Sequence, residues 1–193
     1  NSQMAGLTTT NVAALATTQV GSLSSTQLGA MSSTGFSSLD STQVGALSAT
    51  QLKGLTVNQL KGLSTTDIGE LNTTQISSLS VAQIGALATT QLSALSSTQM
   101  GALNATQIKG LSNSQLAGLS ATDVGEFTTT QIGLLSNAQL GALSTKISGF
   151  DATQMASLTT SQVKGLSVDQ LKSLSTTDIG ELTSTQVGAL TTA

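Results

Sequence analysis

The sequence predicts an all-α fold: a solenoid of short capped helices, one helix in each octapeptide. Three observations point to it. An apolar anchor recurs every eight residues, a helix-capping residue follows each anchor, and small residues precede the next one.

The anchors run Leu7, Leu15, Leu23, Met31, Leu39, Leu47, Leu55 and onward through Leu119, Phe127, Leu135 and Leu143. One residue is then dropped, and the series resumes at Phe150, Leu158, Leu166, Leu174, Leu182 and Leu190. Of these 24 anchors, 21 are Leu and none is polar, so the array has a continuous apolar side. The sixth position of each eight-residue unit is apolar as well, from Val12, Val20 and Leu28 to Ile179 and Val187. A continuous helix does not suit this period, because eight residues overshoot two turns by roughly 80° and the stripe would spiral. A continuous strand fails too, since positions one and six have opposite parity and would face opposite ways. The chain must turn once per repeat.

Position two shows how. It is Ser, Thr, Asp or Asn in every unit except at Ala16 and Ala88, and these are the preferred helix N-caps. Three residues on stands Gln, as at Gln19, Gln27, Gln43, Gln51 and Gln59, or Asp at Asp67, Asp123 and Asp178. That spacing is the capping box, in which each side chain satisfies the other end's free amide. The anchor before the cap and the apolar residue at the sixth position supply the hydrophobic staple. At positions seven and eight every unit carries at least one Gly, Ala or Ser, and the Gly of Lys53-Gly54-Leu55 is expected to take a left-handed helix stop. Short Ser/Thr/Gly-rich repeats also build β-solenoids, which stands as the alternative architecture.

One octapeptide cannot fold alone, because two buried side chains do not offset the entropy of ordering eight residues. Stability must come from capping and from stacking on neighbours, as in other solenoids. Residues 1–193 read as a single array of about 24 units with no linker. A block of about 56 residues lies over the octapeptides. Leu63 to Leu71 recurs letter for letter at Leu174 to Leu182 and more loosely at Leu119 to Phe127, with Lys53-Gly54, Lys109-Gly110 and Lys164-Gly165 upstream. Gene duplication accounts for it; the sharper reading is a lattice repeat that returns one charged face.

Composition excludes whole classes of chemistry. There is no Cys, His, Pro, Trp, Tyr or Arg, and charged residues make up 8% of the chain. Without thiol or imidazole, the usual nucleophiles, bases and zinc ligands are missing, so no catalytic, cofactor-binding or metal-binding residue is assigned and no enzyme is expected. Six scattered lysines and three Phe make no nucleic-acid surface. No apolar run reaches the length of a membrane span. The start at Asn1 predicts a mature or trimmed chain.

Carboxylates cluster only at Asp67/Glu70, Asp123/Glu126 and Asp178/Glu181. They are too few for the six to eight oxygens of calcium, so Asp is expected to replace Gln in the cap and Glu to be solvated. Lys53, Lys61, Lys109, Lys164 and Lys172 all take the seventh position and are expected in solvent. Asn72-Thr73-Thr74 and Asn104-Ala105-Thr106 match the glycosylation sequon, a chance event in so Thr-rich a chain.

The L-(S/T)-x-x-Q-(I/L/V)-x-x unit, clearest at Leu39 to Leu63 and Leu79 to Leu119, is similar to octapeptide arrays of long secreted or surface-attached bacterial proteins, often labelled adhesin-like or haem-utilisation-like. The resemblance implies an extracellular, cell-surface, fibrous protein. Its haem label finds no ligand here, as His is absent and Met4, Met31, Met100 and Met155 occupy apolar repeat positions. Three functions remain open at this point. The first is a filament or stalk subunit that binds copies of itself head to tail, because neither Asn1-Ser2-Gln3-Met4 nor Thr191-Thr192-Ala193 resembles a polar capping repeat. The second is a spacer within a longer adhesin. The third is a Thr-rich surface or ice-binding module, carried by pairs such as Thr65/Thr66, Thr73/Thr74 and Thr89/Thr90.

Overall fold

A computed structural model describes residues 2–190. Among them every regular element is helical and none is a strand, so the fold is the all-α repeat that the caps predict and the β-solenoid alternative falls away. Asn1 and Thr191 to Ala193, parts of the uncapped ends named above, lie outside the described residues. The chain divides into two compact units, Asn1–Leu103 and Asn104–Ala193, although the octapeptide pattern runs through the boundary unchanged.

In the first unit α1 (Ser2–Ala5) leads into four coils of three helices. The first coil is α2 (Thr9–Ala13), α3 (Thr17–Ser22) and α4 (Ser25–Gly29). The second is α5 (Ser33–Phe36), α6 (Ser41–Gly45) and α7 (Ala49–Lys53). The third is α8 (Val57–Gly62), α9 (Thr65–Gly69) and α10 (Thr73–Ser78). The fourth is α11 (Val81–Ala86), α12 (Thr89–Leu92) and α13 (Ser97–Gly101). Each helix packs on the one three places later, giving columns α2–α5–α8–α11, α3–α6–α9–α12 and α4–α7–α10–α13. One coil is therefore three octapeptides.

The second unit repeats the plan. It begins with α14 (Ala105–Gly110), α15 (Asn113–Gly118) and α16 (Ala121–Gly125). Next come α17 (Thr129–Leu134), α18 (Asn137–Ala142) and a 3₁₀ turn, Ser144–Gly149, built by the shortened octapeptide. Then follow α19 (Ala152–Ala156), α20 (Thr160–Lys164) and α21 (Val168–Ser173), and finally α22 (Thr176–Gly180) and α23 (Ser184–Gly188). Its columns are α14–α17–α19–α22, α15–α18–α20–α23 and α16–3₁₀ turn–α21. The lost residue is absorbed at Ser144, whose φ of 53° is the only positive one at a non-Gly residue among the described residues.

Helices of four to six residues lie far below the length at which a peptide helix persists in water, so caps and packing must hold them. The caps are the predicted boxes. In α7, for example, the Gln51 N–H donates to Ser48 Oγ at 3.2 Å and the Ser48 N–H donates to Gln51 Oε1 at 2.7 Å. Where position two is Ala the first bond is lost and the second stays, with the Ala16 N–H on Gln19 Oε1 at 2.7 Å and the Ala88 N–H on Gln91 Oε1 at 2.8 Å. The core is likewise the predicted pair of side chains per unit, with sixth-position residues such as Val44, Leu52 and Ile84 fully enclosed and anchors such as Leu39, Leu47 and Leu87 nearly so.

The helix stop differs from expectation. Gly54 closes α7 at φ −80°, ψ −10°, in right-handed geometry, and among the described residues no glycine has positive φ. Helices end instead because the next anchor is extended, as at Leu23, Leu63 and Leu79. Several glycines serve close packing between coils. A Cβ on Gly54 would lie 2.5 Å from Ser25 Cβ and 2.9 Å from Ser25 O, and one on Gly29 would lie 2.7 Å from Gly54 O. The 56-residue block does not return a single face, because seven octapeptides are two coils plus one column. In the second unit Asp123/Glu126 sit at α16 and Asp178/Glu181 at α22, in different columns. That leaves duplication as its account.

Two glycine substitutions separate these roles. Gly54→Ala is expected to destabilise its unit by about 1–3 kcal/mol through overpacking against the Ser25 backbone. Gly133→Ala, at a site in α17 with nothing within 4 Å, is expected to stabilise by about 0.5–1 kcal/mol. Urea unfolding of both variants beside the parent chain checks the opposite signs.

Candidate functional site

The feature that joins one coil to the next is a file of buried glutamines. The capping box uses only the Oε1 of each fifth-position Gln; its Nε2 points out of the repeat. Gln51 Nε2 donates to Val20 O at 3.0 Å, Gly21 O at 3.2 Å and Leu23 O at 2.7 Å. Gln59 reaches Leu28 O at 2.6 Å and Met31 O at 3.0 Å; Gln83 reaches Leu52 O at 2.8 Å and Leu55 O at 3.0 Å. Gln91 meets Leu60 O at 2.9 Å and Leu63 O at 2.7 Å. The acceptors always lie at the corner where the coil below passes from one helix to the next. Of these, the sixth-position carbonyl already accepts the next anchor's N–H and keeps a lone pair, while the anchor carbonyl has no backbone amide, so burial without the glutamine would be costly. The glutamines are themselves 1–6% exposed, so each rung is closed to water.

The sequence reading missed this second bond because the box alone accounts for a Gln. The signal was present: Glu fills a capping box as well and suits the helix N-terminus better, yet Glu stands at no fifth position. Only an amide carries an acceptor for the cap and a donor for the corner.

Departures from the rule locate the ladder's weak points. The shortened octapeptide has no Gln, and Lys146 Nζ donates instead to Ala117 O, a corner carbonyl of the coil below. Rungs that span it keep their corners while their sequence offset falls by one: Gln162 donates to Ile132 O at 2.7 Å and Leu135 O at 2.9 Å, 30 and 27 residues back, against 31 and 28 for Gln83. In α5 the fifth position is Gly35, and the Ser38 hydroxyl donates to Thr9 O at 3.1 Å. At α9 it is Asp67, buried at 6% exposure. Its Oδ2 accepts from the Ser64 N–H and hydroxyl, both at 2.8 Å, but a carboxylate has nothing to donate to the corner.

The other residues singled out from the sequence fall into place around this ladder. Asp123 and Asp178 close their boxes on the Ser120 and Ser175 N–H groups at 2.8 and 2.7 Å. Glu70 and Glu181 are exposed, whereas Glu126 is half-buried and its Oε2 is enclosed without a hydrogen-bond partner. Burial, and secondarily the charge of Asp123, raises the Glu126 carboxyl above its ordinary pKa. Among the described residues no three carboxylates gather into a cation cluster. Lys53, Lys61, Lys109, Lys164 and Lys172 are exposed. Both sequon asparagines are N-caps, with Asn72 Oδ1 accepting from the Gln75 N–H at 3.0 Å and Asn104 Oδ1 from the Gln107 N–H at 3.1 Å. Met31, Met100 and Met155 are core residues. A shallow groove of about 400 Å³, lined by Ser25, Thr26, Gly29, Ala30, Gly54 and Thr56, contains no ionisable group.

The first and last coils present the two halves of a rung. Leu7, Leu15 and Leu23 are half-buried, while the anchors one coil on, Met31, Leu39 and Leu47, are 2–5% exposed. At the other extreme Ile179 and Val187 are 41% and 48% exposed, while their counterparts one coil back, Met155 and Val163, are 0% and 1% exposed. Anchors are thus covered by the coil before them and sixth-position residues by the coil after them.

Three substitutions test the ladder and its defects. Gln83→Glu keeps the cap oxygen but sets a carboxylate against the Leu52 and Leu55 carbonyls, and is expected to cost about 2–4 kcal/mol at neutral pH. Asp67→Gln is expected to add a rung and stabilise by about 1 kcal/mol; urea unfolding reads both. Glu126→Gln is expected to raise the melting temperature at neutral pH. The raised pKa means the native state binds the Glu126 proton more tightly than the unfolded chain does. The parent therefore gains stability relative to the variant as pH falls through the carboxylate range, and the gap should close there.

The model of the ALTTAQ repeat family matches residues 57–89, 81–113 and 155–192, and the first two matches are offset by one coil. No curated protein matches the chain. In these segments the chain is similar to ALTTAQ repeats, and it is a helical repeat protein.

Proposed function

We propose that this chain is a non-enzymatic structural protein of the cell exterior whose coils build a filament or stalk by end-to-end assembly. The observation that carries the reading is the direction of the rungs. Within each unit a coil donates amides to the coil before it and offers carbonyl acceptors to the coil after it. Such a contact is heterologous: the two surfaces differ, the arrangement is not closed by a two-fold axis, and repetition propagates it. The half-buried Leu7, Leu15 and Leu23 and the exposed Ile179 and Val187 are apolar surfaces of the two complementary kinds. The extracellular setting and a surface attachment rest on the resemblance to secreted octapeptide arrays. The same contact serves a spacer inside a longer adhesin, which sequencing of the intact native protein would reveal.

A second reading has its own observation. In the first unit Thr18, Thr42, Thr66 and Thr90 descend one column and Thr26, Thr50, Thr74 and Thr98 descend the next, all exposed. None is an N-cap residue, so capping does not explain them. Files of exposed methyl and hydroxyl groups suit an ordered surface such as ice, and a thermal-hysteresis measurement tests it.

For the filament, electron microscopy and sedimentation velocity across a concentration series are the direct test. Particles longer than one chain that lengthen with concentration are expected. Particles one chain long at every concentration would remove self-assembly.

A further inference from the structure

We propose that the rung at Asp67 is a binding site for a monovalent cation of the size of K⁺, held by Asp67 Oδ1 and the corner carbonyls Phe36 O and Leu39 O. The site lies within one unit and stands whether or not copies assemble.

Its place follows from the register of the ladder. Gln59 and Gln91 each take the carbonyls 31 and 28 residues back, Leu28 O with Met31 O and Leu60 O with Leu63 O. At Asp67 the same offsets fall on Phe36 O and Leu39 O. Glutamine rungs surround it, Gln59 and Gln75 on the neighbouring helices and Gln43 and Gln91 in the coils before and after.

A carboxylate has the same planar fork as a carboxamide. One prong, Asp67 Oδ2, is held in the cap by the Ser64 N–H and hydroxyl, both at 2.8 Å. The other prong, Oδ1, takes the side on which the rungs carry nitrogen. Among the described residues no N–H or O–H donates to it. Phe36 O accepts the Leu39 N–H at 3.1 Å and keeps one lone pair, while no backbone amide or side chain of the described residues donates to Leu39 O. Asp67 is 6% exposed, Leu39 3%, and Phe36 is fully enclosed. Three oxygens share this corner with no hydrogen among them, and one of them carries a buried charge. Buried charges are stable when they are paired or bind a metal.

The donor set selects the occupant. A water brings two hydrogens to three acceptors and leaves the charge uncompensated. Calcium takes six to eight oxygens, and the second carboxylate of the pair, Glu70, is exposed. One positive charge balances Asp67, and carbonyl oxygens replace the hydration shell of K⁺ well, as they do in channel filters. Gln59 holds its nitrogen 2.6 and 3.0 Å from its carbonyl pair, a spacing wider than the about 2.0–2.1 Å that Mg²⁺ demands. The composition gave no hint of such a site, because two of its three oxygens are backbone atoms.

The test is urea unfolding of the full 193-residue chain at fixed ionic strength, with KCl compared against tetramethylammonium chloride. The tetramethylammonium ion is too large to enter between the carbonyls. Asp67→Gln gives the corner an amide and removes the charge, so it reports the general effect of the two salts without the site. When about 0.3 M KCl replaces tetramethylammonium chloride, the unfolding constant of the parent is expected to fall on the order of 10-fold more than that of the variant. Equal responses of the two chains overturn the site. A gain given to the parent by CaCl₂ and not by KCl overturns the monovalent assignment. As a check independent of variants, parent crystals grown with RbCl should show an anomalous peak between Asp67 Oδ1, Phe36 O and Leu39 O, and a corner without one rejects the proposal.

Discussion

The fifth-position glutamine is the constraint on which the rest of this structure depends. A chain that turns every eight residues ends a helix every eight residues, and each end leaves carbonyls without intrahelical partners. When coils stack, those carbonyls are buried, where an unmade hydrogen bond costs more than a made one gains. The glutamine amide resolves both ends of the difficulty at once. Its oxygen closes the cap of its own helix and its nitrogen closes the corner of the coil below, as Gln59 does between the Thr56 N–H and the Leu28 and Met31 carbonyls. Asn is too short for that span and Glu has no donor. The apolar core can be simple because the polar problem is solved by one residue type.

Packing follows from the rung. Once the amide fixes the height of one coil above another, the space between helices of a column is set, and the side chains there must fit it. Gly54 against Ser25 and Gly29 against Gly54 O show how close that approach is. Elsewhere the same position has room, as at Gly21 and Gly133 with nothing within 4 Å, so the small residues are not equivalent though the repeat makes them look so. Stability in such a stack is a sum over coil-to-coil contacts. A rung lost at Asp67 or Gly35 therefore weakens one contact without unmaking its neighbours, which explains how the array tolerates them.

Much of this was legible in the sequence, and the limits have physical causes. The anchors, the caps and the class of fold follow from period and residue type, and Ser48 with Gln51 or Ser80 with Gln83 stand as read. The number of helices per coil was not legible, because each octapeptide carries the same local instructions whatever the angle between successive helices. The glycines were misread for a related reason: a left-handed stop is a local property, whereas the Gly54–Ser25 contact joins residues far apart in the chain. The aspartates of the acidic pairs were read correctly as altered caps at Asp67, Asp123 and Asp178. Glu126, however, expected in solvent, is half-buried, and that a carboxylate at the fifth position opens a gap in a ladder required the ladder to be seen.

The shortened octapeptide shows what the array conserves. It loses a residue, forms a 3₁₀ turn in place of an α-helix and forces Ser144 to a positive φ, yet the column through it remains unbroken from α16 to α21. Lys146 takes over the donor, and the rungs across it keep their corners by shortening their sequence offset by one. Residue count is therefore negotiable and the match of donor to corner is not. A contact that depends only on adjacent coils, and recurs from one coil to the next, places no upper bound on how many coils are stacked. Length is then the property that such a molecule can vary freely, and length is what a filament or a stalk supplies.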